Sequence, residues 1–422
     1  MKPQTASSRA WPLALLGVLA WPGLASATNG YFSHGYGVRA QGVAGVAIAL
    51  PQDGLAAAAN PAGTALVGDR LDLGVSLFRP DRGASIHGNA YGADGDYSAN
   101  QTRNFVIPEA GYVRRVAPDL AWGVAVYGNG GMNTDYGRNP FAAYGGSGSA
   151  GVDLSQLFVT PSVAFRPVEN HAFGAALSFA YQRFAAEGLQ AFDNPMVSSS
   201  PGAVTNRGHD SATGWGLKLG WTGQVLPSLR LGASWSSRIE MGELGRYRGL
   251  FEGGGGFDIP ANYGVGLAWQ ALPALTLAAD WQRIEYSSVK AVGNPLAVLL
   301  QGGQLGADKG AGFGWRDVSV LKLGAIYAVD ERLTLRAGLS RSQQPVPASQ
   351  TFFNVLAPGV VRNHFSLGAS LKTGSGEWSA AYTRAPRTRV AGEGSIPANF
   401  GGGEADVYLR EDVFTLGYSW AL

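Results

Sequence analysis

Trp215-Gly216-Leu217-Lys218-Leu219-Gly220-Trp221 alternates large apolar residues with small or polar ones. That period of two is a strand with one greasy face and one small, polar face. Tyr263, Val265, Leu267 and Trp269 alternate in the same way with Gly264, Gly266, Ala268 and Gln270. Phe414, Leu416, Tyr418, Trp420 and Leu422 alternate with Thr415, Gly417, Ser419 and Ala421. A soluble sandwich also alternates. Here the large residues are Leu, Val, Phe, Trp and Tyr, with aromatics near strand ends, as the interfacial girdle of a membrane barrel requires.

Working outward, the same pattern marks fourteen segments, near 70–82, 103–116, 120–129, 154–167, 171–184, 210–225, 229–241, 258–271, 274–286, 315–329, 332–344, 361–373, 376–387 and 407–422. Their connections alternate between short and long. Short turns fall at Ala117-Pro118-Asp119, Glu169-Asn170, Pro227-Ser228, Leu272-Pro273, Asp330-Glu331 and Gly374-Ser375. Short periplasmic turns and long external loops are the signature of an outer-membrane barrel, and no blade-length repeat points to a propeller. The reading is an all-β protein: a 14-stranded antiparallel transmembrane β-barrel over residues 70–422.

Composition agrees. Charged residues are 15% of the chain, below the ~25% of ordinary soluble domains. Glycine is 62 of 422 residues, about twice the usual share. There is no cysteine, so thiol chemistry is excluded, and a formal charge of +2 gives no nucleic-acid footprint. No segment after the start offers the ~18 uninterrupted apolar residues of a membrane helix. Residues 1–27 read as a signal peptide: Lys2 and Arg9, an apolar run from Ala10 to Leu24, then Ala25-Ser26-Ala27 as a cleavage pattern. The mature chain would then begin near Thr28. Residues 28–69 are rich in Ala and Gly, lack a period of two and carry little charge. They are expected to fold inside the barrel as a plug, because a disordered tail would carry more charge.

Several stretches, taken in order, resemble the FadL/TodX family of outer-membrane transporters. Asn29-Gly30-Tyr31-Phe32, Gly42 to Ala47 and Asn60-Pro61-Ala62-Gly63 are similar to its hatch, and Tyr127 to Tyr136 to its third-strand region. Gly314-Trp315-Arg316-Asp317, Leu323 to Tyr327, Thr334 to Gly338, Pro345-Val346-Pro347 and His364 to Gly368 follow its late strands. The resemblance departs at Gly128-Asn129-Gly130-Gly131, where the family has Pro-Phe-Gly. It implies a barrel plugged by a hatch, capture of a hydrophobic small molecule in an apolar groove of the loops, and sideways release beside a kinked third strand. The surroundings it implies are outer-membrane lipid and lipopolysaccharide, and the state a monomer. No cofactor is implied.

The residues supply candidates for each part. Tyr31, Phe32, Asn60, Pro61 and Ala62 would form the hatch and gate; Asn bonds local backbone and Pro fixes φ. Gly128, Gly130 and Gly131 would form the kink, where bulk at Gly130 is expected to block release. Leu189, Phe192, Met196, Val197, Leu250, Phe251 and Leu299 are apolar residues on long loops, the material of a substrate groove or of a lid core. For a carboxylate substrate, Lys218, Arg238, Lys322 and Arg336 face inward by alternation, with Asp280 available to pair with one of them. His34, His87, His171, His209 and His364 lack metal-ligand spacing, so no metal is expected. No Gly-x-Ser-x-Gly elbow stands in a suitable context for a barrel lipase, so no enzyme is expected. A general diffusion porin would carry more lumen charge and no plug. Fatty acid, alkane, aromatic hydrocarbon and signalling lipid all stay open as substrates.

Overall fold

The computed structural model describes residues 28–422; the expected signal peptide lies outside them. Fourteen strands of eight or more residues form one antiparallel ring. They are β1 (Arg70–His87), β2 (Phe105–Ala117), β3 (Leu120–Tyr136), β4 (Ala150–Val168), β5 (His171–Glu187), β6 (Asp210–Leu226), β7 (Leu229–Ser236), β8 (Asn262–Leu272), β9 (Leu275–Ile284), β10 (Val318–Ala328), β11 (Leu333–Ser342), β12 (Asn363–Thr373), β13 (Gly376–Val390) and β14 (Glu404–Ala421). Each pairs with its neighbour in sequence, and β14 pairs with β1 from Glu404↔His87 to Ala421↔Arg70. The ring is closed. Leu217, Leu219, Val265, Leu267, Phe414 and Leu416 are exposed on the outer wall, where lipid would cover them. Lys218, Thr222, Asp280, Ser366 and Thr415, on the other phase, are buried. The expected alternation of short and long connections is present.

The small inner face is not an empty water channel. Residues 28–66 lie inside the ring and bond to strands all round it. Asp280 of β9 accepts from the Ala47 and Ile48 amides at 2.8 and 3.0 Å. Lys322 of β10 donates to the His34 carbonyl at 2.9 Å, and Arg336 of β11 to Gln52 Oε1 at 3.0 Å. Asp72 of β1 accepts from the Gly54 amide at 2.8 Å. Inner-wall glycines make room for this segment. A Cβ on Gly111 would fall 2.3 Å from the Gly54 carbonyl carbon, on Gly174 2.3 Å from the Ala62 nitrogen, and on Gly338 2.2 Å from the Val43 carbonyl carbon.

Several strand ends differ from the sequence expectation, β1 running on to His87 and β4 starting at Ala150 among them, and two of the differences move candidate site residues. β7 stops at Ser236 rather than Met241, because Ser237 turns its hydroxyl back to the Arg238 carbonyl and the pairing with β6 slips by one residue before Glu240. β3 does not stop at Asn129 but runs on to Tyr136.

The Asp280 carboxylate is one of the fixings of the N-terminal segment. In Asp280→Ala, two buried amides lose their acceptor, at about 1–3 kcal/mol each. The expected result is a barrel that still migrates as a folded, heat-modifiable band on a gel but conducts ions in a planar bilayer. Conductance at the wild-type level would show that this fixing does not hold the plug.

Candidate functional site

The wall is incomplete beside β3. β2 pairs with β3 only up to Ala110↔Val126, although β2 begins at Phe105 and β3 continues for another ten residues after Val126. On its other edge β3 stays paired with β4, with a bulge at Asn129 between Gly128↔Leu157 and Gly130↔Gln156. A bulge re-aims a side chain and strengthens local twist. Here it turns Asn129 inward, where Asn129 accepts from the Tyr36 hydroxyl at 2.8 Å and donates to Gln156 at 3.1 Å. Gln156 donates to Gln182, and Gln182 to the Phe257 carbonyl in the loop above, so a buried amide chain ties the bulge to the loops.

The freed edge of β3 is met from inside. Thr28–Asn29 and Phe32–Ser33 form a tight hairpin, Phe32 pairs with Gly130, and the Gly131 amide donates to the Tyr31 carbonyl at 3.1 Å. Gly130 must be glycine: its Cβ would fall 1.7 Å from the Tyr31 carbonyl oxygen. Gly30, at φ 75°, turns the hairpin beneath Tyr286 and Trp315, and a Cβ there would strike both. The Tyr286 hydroxyl donates to the Asn29 carbonyl and accepts from the Tyr31 and Phe32 amides. Tyr31 packs at 5.4 Å on Phe32, 5.2 Å on Tyr286 and 6.1 Å on Phe257. Burial pushes the Tyr31 phenol well above its ordinary value, so it stays neutral, and its hydroxyl has no hydrogen-bond partner among the described residues.

Beside the break, β1 and β2 turn apolar side chains inward. Phe78, Phe105 and Ile107 pack with Val413 of β14. The alternation argument passed over these residues because it assigned apolar side chains to the outer face. The signal was available: Phe105-Val106-Ile107 is apolar in both phases. Further along the inner wall, Asp53 of the N-terminal segment is buried next to Asp72. Burial and that neighbouring charge push its carboxyl up to about 6, against the opposing pull of Arg39 and Arg70.

The loop candidates converge, with one exception. Leu189, Phe192 and Phe251 are buried, and Leu250, Val197 and Leu299 pack half-buried against the same core. Leu189, Phe192, Leu250 and Phe251 enclose, with Phe313 and Phe353, a narrow cavity of about 40 Å³; Val197 and Leu299 do not line it. Met196 is 90% exposed and does not join this core. Residues not foreseen complete the cap: Phe141, Phe352 and Phe400 join Phe192 at 5.2–6.2 Å between ring centres. Phe251 lies 4.9 Å from Phe257, which continues to Tyr31 and Phe32. An unbroken aromatic line therefore runs from the loops to the wall break.

The expected lumen cations divide. Lys218, Lys322 and Arg336 are buried inside, as alternation required. Arg238 is not: it lies beyond the end of β7, exposed and ion-paired with Asp258. Each of the inner three is engaged with the N-terminal segment. Lys218 donates to the Ala58 carbonyl, Lys322 to His34 and Gly45, and Arg336 to Gln52 as well as Ser370. Asn60-Pro61-Ala62 docks on the opposite wall. Asn60 donates to the Ile48 and Trp221 carbonyls and accepts from the Ala62 amide, while Gly220 leaves space for its side chain.

The contact at Gly130 changes the sense expected of a substitution there. In Gly130→Val the new side chain strikes the Tyr31 carbonyl and lifts the hairpin off β3 instead of narrowing an exit. The expected outcome is raised ion conductance with retained barrel folding. A silent channel with blocked uptake would restore the earlier expectation.

Comparison with known proteins agrees with this architecture. A family model described as outer membrane protein transport protein (OMPP1/FadL/TodX) matches residues 24–376. A long-chain fatty acid transport protein of Salmonella typhi is 26% identical over 59% of this chain, and the match spans only 62% of that protein. One of Escherichia coli O6:H1 is 24% identical over 83% of this chain and 84% of its own. The crystal structure of a Pseudomonas aeruginosa FadL homologue superposes with a TM-score of 0.70 at 18% identity, covering 93% of this chain and 99% of that one. The Pseudomonas putida toluene transporter TodX gives 0.66 at 19% identity, covering 92% and 99%. The closed ring, the incomplete wall and a family match over most of the sequence lead to one conclusion: the chain belongs to the OMPP1/FadL/TodX family of outer-membrane transport proteins, and it is a transporter rather than an enzyme.

Proposed function

We propose that the protein takes up a hydrophobic small molecule, a long-chain fatty acid or a hydrocarbon, from the loop cap to a side exit between β2 and β3. The observation that carries this reading is the ladder that stops at Ala110↔Val126, bordered by inward Phe105 and Ile107 and backed by the Thr28–Ser33 hairpin. A water-filled pore has no use for apolar residues turned inward beside a gap in its wall. An apolar molecule does: each buried CH₂ gains ~0.8 kcal/mol, so a continuous greasy line draws it out of water and passes it on. The loop core, with Leu189, Phe192, Leu250, Phe251 and Leu299, is the entry. Tyr31 and Phe32 are the gate, braced by Asn60, Pro61 and Ala62 across the barrel. Gly128, Gly130 and Gly131 form the flexible edge of the exit, which delivers the substrate into outer-membrane lipid. The loops would stand beyond the lipopolysaccharide sugars, which an apolar chain crosses poorly.

One observation favours a neutral substrate as a second reading. The relatives above are named for long-chain fatty acids, but Lys218, Lys322 and Arg336 already donate to the N-terminal segment. A carboxylate would have to displace one of those contacts; a hydrocarbon, as in the toluene transporter to which the fold is similar, would not. Native mass spectrometry of protein purified gently from its own membrane separates the two by the mass of what travels with it.

The side exit is tested with Ile107→Asp. Uptake of radiolabelled oleate or toluene by whole cells is expected to fall about tenfold or more, the effect of ~1.4 kcal/mol or more against an apolar chain meeting a charge. Binding by the purified protein should persist, because Ile107 packs in a cluster separate from the loop core. Undiminished uptake would place the exit elsewhere.

A further inference from the structure

Glu411 of β14 is 1% exposed. Among the described residues no lysine or arginine forms an ion pair with it. His364 Nε2 is its nearest ion-pair contact, at 3.8 Å, and the His364 ring is stacked on His34 at 5.5 Å. Arg82 lines the same cavity but gives its guanidinium to Asn133 and to the Thr102 carbonyl. What Glu411 does hold is the first residue of the hairpin. Its Oε2 accepts from the Thr28 nitrogen and its Oε1 from the Thr28 hydroxyl, both at 2.9 Å. A buried carboxylate bonded by two neutral donors gains a direct ion-pair partner if one of those donors becomes a cation.

The sequence supplies that cation. Ala25-Ser26-Ala27 is a cleavage pattern that ends immediately before Thr28. Cleavage there turns the Thr28 amide nitrogen into an α-ammonium at the position that already faces Oε2. We propose that the mature N-terminus, freed between Ala27 and Thr28, forms a buried ion pair with Glu411 that locks the hairpin into the barrel. Seating of the plug then depends on removal of the leader. In the uncut chain Thr28 offers Glu411 an amide; in the cut chain the same bond carries a positive charge as well. The lock holds one end of the hairpin at β14, while Phe32 holds the other at Gly130 of β3.

The test uses the protein extracted from the outer membrane. Its N-terminal sequence is expected to start at Thr28. At pH 7 the folded protein should be acylated at that amine by sulfo-NHS-acetate roughly tenfold more slowly than Glu411→Gln, since the opposite charge holds it as ammonium against the opposing effect of burial. A start at any other residue, or equal acylation rates, overturns the proposal. A second variant leaves Glu411 intact and inserts one glycine between Ala27 and Thr28, which restores an amide at Thr28 and moves the charge away. This variant should fold as a heat-modifiable band, conduct ions where the wild type is closed, and show no further change when Glu411→Gln is added. A closed glycine variant, or a full effect of Glu411→Gln in its background, would show that Glu411 does not act through the terminal amine.

Discussion

Within a bilayer every backbone N–H and C=O must find a partner inside the protein, because the hydrocarbon offers none. A closed ring meets that demand everywhere except where two neighbouring strands part. β3 separates from β2 after Val126 although β2 reaches Phe105, and its edge would be left with unpaired groups from Tyr127 onward. The N-terminal hairpin supplies the pairing at Gly130 and Gly131. The site thus follows from an unmet hydrogen-bonding requirement. A bond borrowed from a separate segment can be returned without unfolding the ring, whereas a ladder between two wall strands cannot.

The same complementarity runs through the interior. The inner wall is small where the N-terminal segment presses against it, and charged where that segment has backbone groups to satisfy. Asp280, Lys322, Lys218 and Asp72 each bond main-chain atoms, so they hold a shape more than they recognise another side chain. The loops follow a different rule. They pack aromatic rings edge to face, an arrangement that tolerates sliding and fits ligands of several shapes.

Much of this was legible in the chain. Alternation such as Trp215 to Trp221 gave the strands, their phase and which side faces lipid, because lipid outside and a different medium inside leave a period of two. Asn60-Pro61-Ala62 was legible as a local brace, but its bonds to Trp221 and its slot at Gly220 are long-range and leave no local pattern. Small inner residues were read as a polar lumen; glycine looks the same whether it faces water or another backbone. The continuation of β3 was hidden because Gly128 to Gly131 has no side-chain period to read. Arg238 was misplaced by extending alternation past a bulge, where the phase no longer holds. The partners Phe141, Phe352 and Phe400 lie on separate loops, and only the closed ring brings them together.

The position of the N-terminal segment has a consequence for how the molecule is made. It leaves the ribosome before any strand of the barrel, yet Thr28 contacts a residue 383 positions later and the segment touches strands drawn from the whole barrel. Contacts of such sequence separation form late, since the intervening chain must be ordered before they are rewarded. The ring closes only when β14 finds β1, again the two extremes of the barrel sequence. A segment synthesised before the whole wall is therefore the last that can reach its native place, and until then the inner wall with its buried charges is open to water. An assembly route has to keep that early segment from finding other partners for the whole time it takes to lay down the wall around it.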